Sequence, residues 1–213
     1  MAKKKKKQSM IKDAIILCMI SLIAALALGF VNELTKDRIA DLEAQAKAEA
    51  YKEVYPEMSS LVEAKDNEVL EKAMEEADTI LANGGFSNVT IDEVCLVEDA
   101  SGNHIGYVAS VTLKAYDVMT LTFGYTVDGA CTGLAFLDIK ETPGIGMKAD
   151  EPDFKNQFAG NSADQFVSVK SGAGAGEINA ISGATFTTNG VIKGVNAGIC
   201  FMKELQTRLG GAN

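Results

Sequence analysis

Hydroxyl side chains gather near the end of the chain, where a phosphate is easily held. The run Ile181-Ser182-Gly183-Ala184-Thr185-Phe186-Thr187-Thr188 sits between a glycine-rich stretch and a long amphipathic segment. Small residues here let the backbone approach a bulky group closely. A helix starting within the run adds unpaired N–H groups and a positive dipole end, which together favour a bound phosphate. Ser and Thr are also common helix N-caps, so the same spacing fits Thr187 or Thr188 simply capping a helix. Spacing alone leaves both readings open.

Other candidate groups point away from chemistry of their own. The stretch Lys140-Glu141-Thr142-Pro143-Gly144-Ile145-Gly146 contains a Pro-Gly pair, the signature of a type II turn that leaves a strand end and shows backbone N–H groups. Gly172-Ala173-Gly174-Ala175-Gly176 lacks the Gly-x-Gly-x-x-Gly spacing of a dinucleotide fingerprint, so NAD is not expected to bind here. His104 is the sole histidine and reads as a surface strand residue; no metal site is expected. Cys18, Cys95, Cys131 and Cys200 form no Cys-x-x-Cys pair, which argues against haem c or an iron-sulfur centre, and only three of them lie outside the apolar run, an odd count that argues against a disulfide framework. They read as small core side chains.

The elements that must position these residues follow from periodicity. Val69, Leu70, Ala73, Met74, Ala77, Ile80 and Leu81 share one helical face, and Gly84-Gly85 supplies a stop. Strands are predicted near 93–98, 104–115, 118–127 and 131–140, with hairpin signals at Ser101-Gly102-Asn103 and Asp128-Gly129. A short helix over 154–158, a strand over 165–169 and a closing amphipathic helix over 188–209 complete the pattern. Helix, antiparallel strands and closing helix make an α+β domain.

Charge and hydropathy divide the chain. Ala14 to Val31 is an apolar run whose only clearly polar side chain is Ser21; as a helix its 18 residues extend about 27 Å, close to a bilayer's hydrocarbon core. Lys3 to Lys7 and Lys12 precede it, so the positive-inside rule places residues 1–13 in the cytoplasm and the rest beyond the membrane. Ala25-Leu26-Ala27 also resembles a signal-peptidase site, which would release a secreted domain. The apolar run exceeds the usual h-region and favours an uncleaved anchor. Residues 32–56 are rich in Ala, Glu, Lys and Leu and read as a helical stalk, leaving 57–213 as the domain. Beyond residue 31, 14 basic residues against 28 acidic ones give −14, a balance that repels nucleic acid.

Ser182-Gly183-Ala184-Thr185 resembles the Ser-Gly-Ala-Thr flavinylation motif of the FMN-binding domain family. Lys140 to Gly146 is similar to the Glu-Thr-Pro-Gly-Leu-Gly segment of the same family, and Tyr116-Asp117 and Phe154 to Gly160 also look family-like. The resemblance implies FMN esterified through its phosphate to Thr185 by a flavin transferase that takes it from FAD. It further implies flavin contacts from Ser182, Gly183, Ala184, Glu141, Thr142, Gly144 and Ile145, with no catalytic residue. The family pattern has Asp six residues before the modified threonine; Asn179 stands there, keeping the shape and hydrogen-bonding reach of Asp.

With its anchor and length, the chain is most similar to the G subunits of Rnf complexes. That resemblance implies an inner-membrane electron carrier among other membrane subunits, in a complex coupling ferredoxin:NAD+ oxidoreduction to Na+ or H+ translocation. The C subunit of the sodium-pumping NADH:quinone reductase, or another membrane-anchored flavoprotein, shares both motifs. A cofactor-free binding or sensor module is the non-redox alternative.

Overall fold

The computed structural model describes the backbone of residues 2–210 and the side chains of residues 12–210. The side chains of the Lys3 to Lys7 cluster lie outside that range. The chain forms two compact units, Met1–Ala46 and Lys47–Asn213. The first is helix throughout its described residues, part of α1 (Ala2–Val54). Ile15, Leu17, Leu22, Leu26, Leu28 and Phe30 are all exposed along it. Apolar side chains on every face do not suit water, and this helix is long and apolar enough to serve as a single membrane anchor. Ser21 fits that setting, because its hydroxyl donates to the Leu17 carbonyl at 2.9 Å and leaves no loose polar group.

The second unit is built on a five-stranded antiparallel meander of β1 (Ser60–Val62), β2 (Val89–Glu98), β3 (His104–Lys114), β4 (Val118–Thr126) and β5 (Cys131–Ile139). Each strand pairs with its sequence neighbour, as short hairpin connections demand. Asp99 shapes the β2–β3 turn by accepting from the N–H groups of Ser101 (2.7 Å) and Asn103 (2.9 Å). Between β1 and β2 lie α2 (Glu68–Glu75) and α3 (Ala77–Asn83). The periodicity predicts one helix here; the structure breaks it at Glu76, whose φ of −95° and ψ of 5° leave the helical range. Both pieces keep the expected apolar face, burying Leu70, Ala73, Ala77, Ile80 and Leu81.

After β5 come α4 (Pro152–Lys155), β6 (Val167–Val169), β7 (Glu177–Asn179) and α5 (Thr185–Gly210). The short helix thus begins at the proline, which is preorganised for a first helical turn. The parallel β6–β7 pair is not foreshadowed by hydropathy, because β7 emerges from a stretch rich in glycine. α5 crosses one sheet face on a stripe of Gly190, Gly194 and Gly198. A Cβ at Gly194 would stand 2.4 Å from Leu113 Cδ2, and one at Gly198 would stand 2.5 Å from Phe123 Cζ. Only glycine permits so close a helix-to-sheet approach.

The opposite face is covered by the last turns of α1. Ala50, Tyr51, Val54 and Tyr55 are buried there with Cys95, Val97, Val108 and Ala135. The domain's compact unit therefore begins at Lys47, inside the stretch that composition reads as a stalk ending at 56. Cys95 and Cys131 are buried and unpaired, as small core side chains, and burial pushes both thiols up to about 12. His104 opens β3 with its ring edge-on to Tyr107 and Nε2 2.9 Å from the Gly106 carbonyl.

Candidate functional site

α5 begins at Thr185, three residues earlier than its apolar periodicity predicts. Ala184 precedes it, and the Thr188 N–H, donating to the Ala184 carbonyl at 3.0 Å, closes the first turn. The N–H groups of Thr185, Phe186 and Thr187 consequently have no intrahelical acceptor. Gly183 makes the turn into the helix at φ 80°, a conformation costly for other residues.

The hydroxyls of this run have distinct fates. Thr188, fully buried, donates to the Ala184 carbonyl (3.0 Å) and accepts from the Ile181 N–H (3.1 Å). It thus braces the turn from inside the helix instead of capping it. Thr187, 3% exposed, donates to Glu141 Oε2 at 3.1 Å. Thr185 is exposed, and its hydroxyl has no hydrogen-bond partner among the described residues. Of the three threonines, the one at the helix start is chemically available.

Glu141 ties this helix start to the rest of the domain. Although 5% exposed, its carboxylate accepts from the N–H groups of Tyr116 (3.2 Å) and Asp117 (3.3 Å) in the β3–β4 turn, as well as from Thr187. A buried carboxylate is tolerable when its oxygens are bonded in this way. Next to it the Thr142-Pro143-Gly144-Ile145 turn closes with the Ile145 N–H donating to the Thr142 carbonyl at 3.1 Å, and Gly144 has φ 72°. These are the features of the predicted type II turn. Gly146 then passes so near that a Cβ on it would stand 2.6 Å from Glu141 Oε2 and 2.9 Å from Thr187 Oγ1.

Between these segments lies a cavity of about 290 Å³. Of the predicted site residues, Thr185, Gly183, Ala184, Glu141, Thr142 and Ile145 line it. Ser182 faces a neighbouring cleft of about 270 Å³ with Lys148, Gln157 and Asn179, and Gly144 shapes its turn without lining the cavity. Tyr116, Gly146, Phe186 and Thr187 join the lining although their types and spacing predict no contact role. Tyr116 and Phe186, 72% and 77% exposed, present apolar ring surface at the mouth. For Tyr116 the family-like Tyr-Asp pair was the available signal. Asn179 holds the glycine-rich loop instead, accepting from the Ala173 N–H at 3.1 Å. Larger grooves along the C-terminal half of α5 are lined by charged side chains such as Lys203, Glu204 and Arg208.

The arrangement suits a phosphorylated, partly apolar ligand. Free helix N–H groups would meet a phosphate, Gly183 leaves open space for close backbone approach, and the exposed rings offer flat surface. A hydroxyl at the first helical residue stands where the phosphate would be held.

Comparison with known proteins agrees with that chemistry. Residues 116–199 match the FMN-binding domain family, and residues 1–54 match the RnfG N-terminal region. The chain is 34% identical over 204 residues to the G subunit of the Na+-translocating ferredoxin:NAD+ oxidoreductase complex of Acetobacterium woodii, covering 91% of this chain and 92% of that one. It is 35% identical over 113 residues to the C subunit of the Na+-translocating NADH-quinone reductase of Pasteurella multocida, covering 46% and 42% respectively. Among solved structures, NqrC of Shewanella oneidensis aligns at a TM-score of 0.46 and 23% identity over 54% of this chain and 61% of that one. The fold, the site and the family match define an FMN-binding domain in a chain that also carries an apolar N-terminal helix. The chain belongs to the family of G subunits of ion-translocating ferredoxin:NAD+ oxidoreductase complexes.

Proposed function

We propose that this chain is the G subunit of an Rnf complex and carries FMN as a phosphoester on Thr185. The observation supporting it most is that Thr185 alone among the three threonines is exposed and unbonded, at the start of a 26-residue helix and beside the cavity. Full-length similarity to a G subunit, against half-length similarity to a C subunit, supports the choice between those two complexes.

When bound, FMN supplies the capacity to accept and release electrons. The chain's own residues hold and orient it. The N–H groups of Thr185, Phe186 and Thr187 receive the phosphate, and the ester prevents loss by dilution outside the membrane. An ester on the phosphate leaves the ring system to noncovalent neighbours, so tuning falls to groups such as Glu141, Thr142, Ile145 and Tyr116. Glu141 keeps the β3–β4 turn, the Pro-Gly turn and the helix start in one arrangement. No substrate is turned over in this subunit, and NAD chemistry belongs to another.

Residues 14–31 span the inner membrane, with residues 1–13 cytoplasmic by the positive-inside rule and the flavin domain extracytoplasmic. The helix from 32 onward leads to that domain and, with the span, docks the other membrane subunits through helix packing. Maturation requires a flavin transferase. Replacing Thr185 with Val should abolish in-gel flavin fluorescence of the protein made with its transferase. Full covalent flavin in that variant would reject the assignment, and a colourless wild type would favour a cofactor-free binding module.

A further inference from the structure

Three threonines stand within four residues, and a transferase that read only local sequence would meet all of them. We propose that Glu141 confines flavinylation to Thr185 by withholding the Thr187 hydroxyl on the folded domain. The inference rests on the reading of Thr185 as the attachment site.

The transfer forms an Oγ–P bond at threonine while a P–O bond in the diphosphate of FAD breaks. AMP leaves with the bridging oxygen, and the hydroxyl proton passes to a base of the transferase. A hydroxyl donating to a carboxylate is the arrangement that usually activates a nucleophile. By that criterion alone Thr187, 3.1 Å from Glu141 Oε2, is better prepared than Thr185.

Three features reverse the ranking. Thr187 is almost wholly buried, whereas Thr185 is exposed. The Gly146 backbone fills the space over Thr187, since even one added carbon there would reach within 2.9 Å of its Oγ1. An ester at Thr187 would also set an anionic phosphate against the Glu141 carboxylate inside a poorly solvated site, where like charges repel strongly. The carboxylate is fixed by the N–H groups of Tyr116 and Asp117 and cannot swing away without abandoning them. Thr188 is excluded by its two bonds to the turn, with Ala184 and Ile181. Ser182 borders the neighbouring cleft, ahead of the helix N–H groups. Glu141 is therefore a specificity device whose hydrogen bond to Thr187 holds that hydroxyl instead of activating it.

The test makes the full chain with a flavin transferase and locates the adduct by intact mass and peptide mapping. Wild type should carry one FMN on Thr185, and Thr185→Val should be bare. Glu141→Ala should divide the adduct between Thr185 and Thr187, and Thr185→Val combined with Glu141→Ala should regain flavin at Thr187. Glu141→Gln keeps the volume and an oxygen for the backbone N–H groups while removing the charge, so it should shift the adduct in the same direction by less. It decides the matter where circular dichroism shows the alanine variant unfolded. Flavin on Thr187 in Thr185→Val with Glu141 intact would overturn the inference, as would a bare double variant that folds like wild type. Both results leave Thr185 as the wild-type attachment site. A bare wild type overturns the attachment reading, and this inference with it.

Discussion

The two faces of the sheet are covered by helices in similar ways and left with opposite chemistry. On one face the end of α1 packs with its buried polar groups engaged. The Tyr51 hydroxyl donates to Glu93 Oε2 at 2.8 Å and shares a 2.9 Å bond with Ser110 Oγ, while Lys47 pairs with Glu93. Thr132 donates to the Val54 carbonyl, and Tyr55 donates to that of Ile105. On the other face α5 packs as closely, yet it starts with three N–H groups and one hydroxyl free. No buried side-chain polar atom among the described residues lacks a partner. The free N–H groups and hydroxyl at the start of α5 lie instead at the surface, where a ligand is expected to complete them. Satisfied buried groups mark the face that holds the domain together, and the open helix start marks the face proposed to hold the ligand.

Substitutions should separate the two faces. The largest effect is expected from Thr185→Val, which should remove all covalent flavin while leaving the folding free energy of the apoprotein within about 0.5 kcal/mol of wild type. A comparable loss of stability would show that Thr185 is structural and erase the contrast. On the opposite face Gly124→Ala should do the reverse. Its Cβ would meet Thr132 Oγ1 at 2.1 Å and the Val54 carbonyl at 2.8 Å, so denaturant unfolding should show a loss of about 1–3 kcal/mol. The folded fraction should still accept flavin. Tyr51→Phe should cost about 1 kcal/mol by deleting a hydroxyl that serves two partners, again with normal flavin content.

The smallest effect concerns pH. Burial holds the His104 imidazole below its ordinary value of 6.5, against opposing pulls from the Gly106 carbonyl and Glu98. The fold thus favours neutral His104. This contribution is present above the unfolded value and is lost as pH falls through the lowered folded one. Wild type should therefore lose Tm relative to His104→Gln between about pH 7 and pH 5. A constant difference across that range would contradict it.

Much of this organisation was legible because it is written locally. The strands over 104–114 and 118–126 fall almost on their predicted bounds, since alternation and turn residues act within a few positions. The Ser-Gly-Ala-Thr and Pro-Gly segments pointed to the two walls of the cavity for the same reason. The sequence marks Glu141 as a contact but not as the hub, because its partners lie 24, 25 and 46 residues away. Nothing local to a glutamate after a strand announces such a junction. Gly146 and the packing of α1 onto Gly124 and Gly133 were hidden likewise, being close approaches between distant segments. The break at Glu76 escaped periodicity because both pieces keep the same apolar face.

Peptide mapping of the protein isolated from native membranes tests the central claim most directly. The account predicts that the peptide holding residues 181–188 is heavier by one FMN less water, with the added mass on Thr185. The same peptide recovered unmodified, from complex that is active in electron transfer, would contradict it.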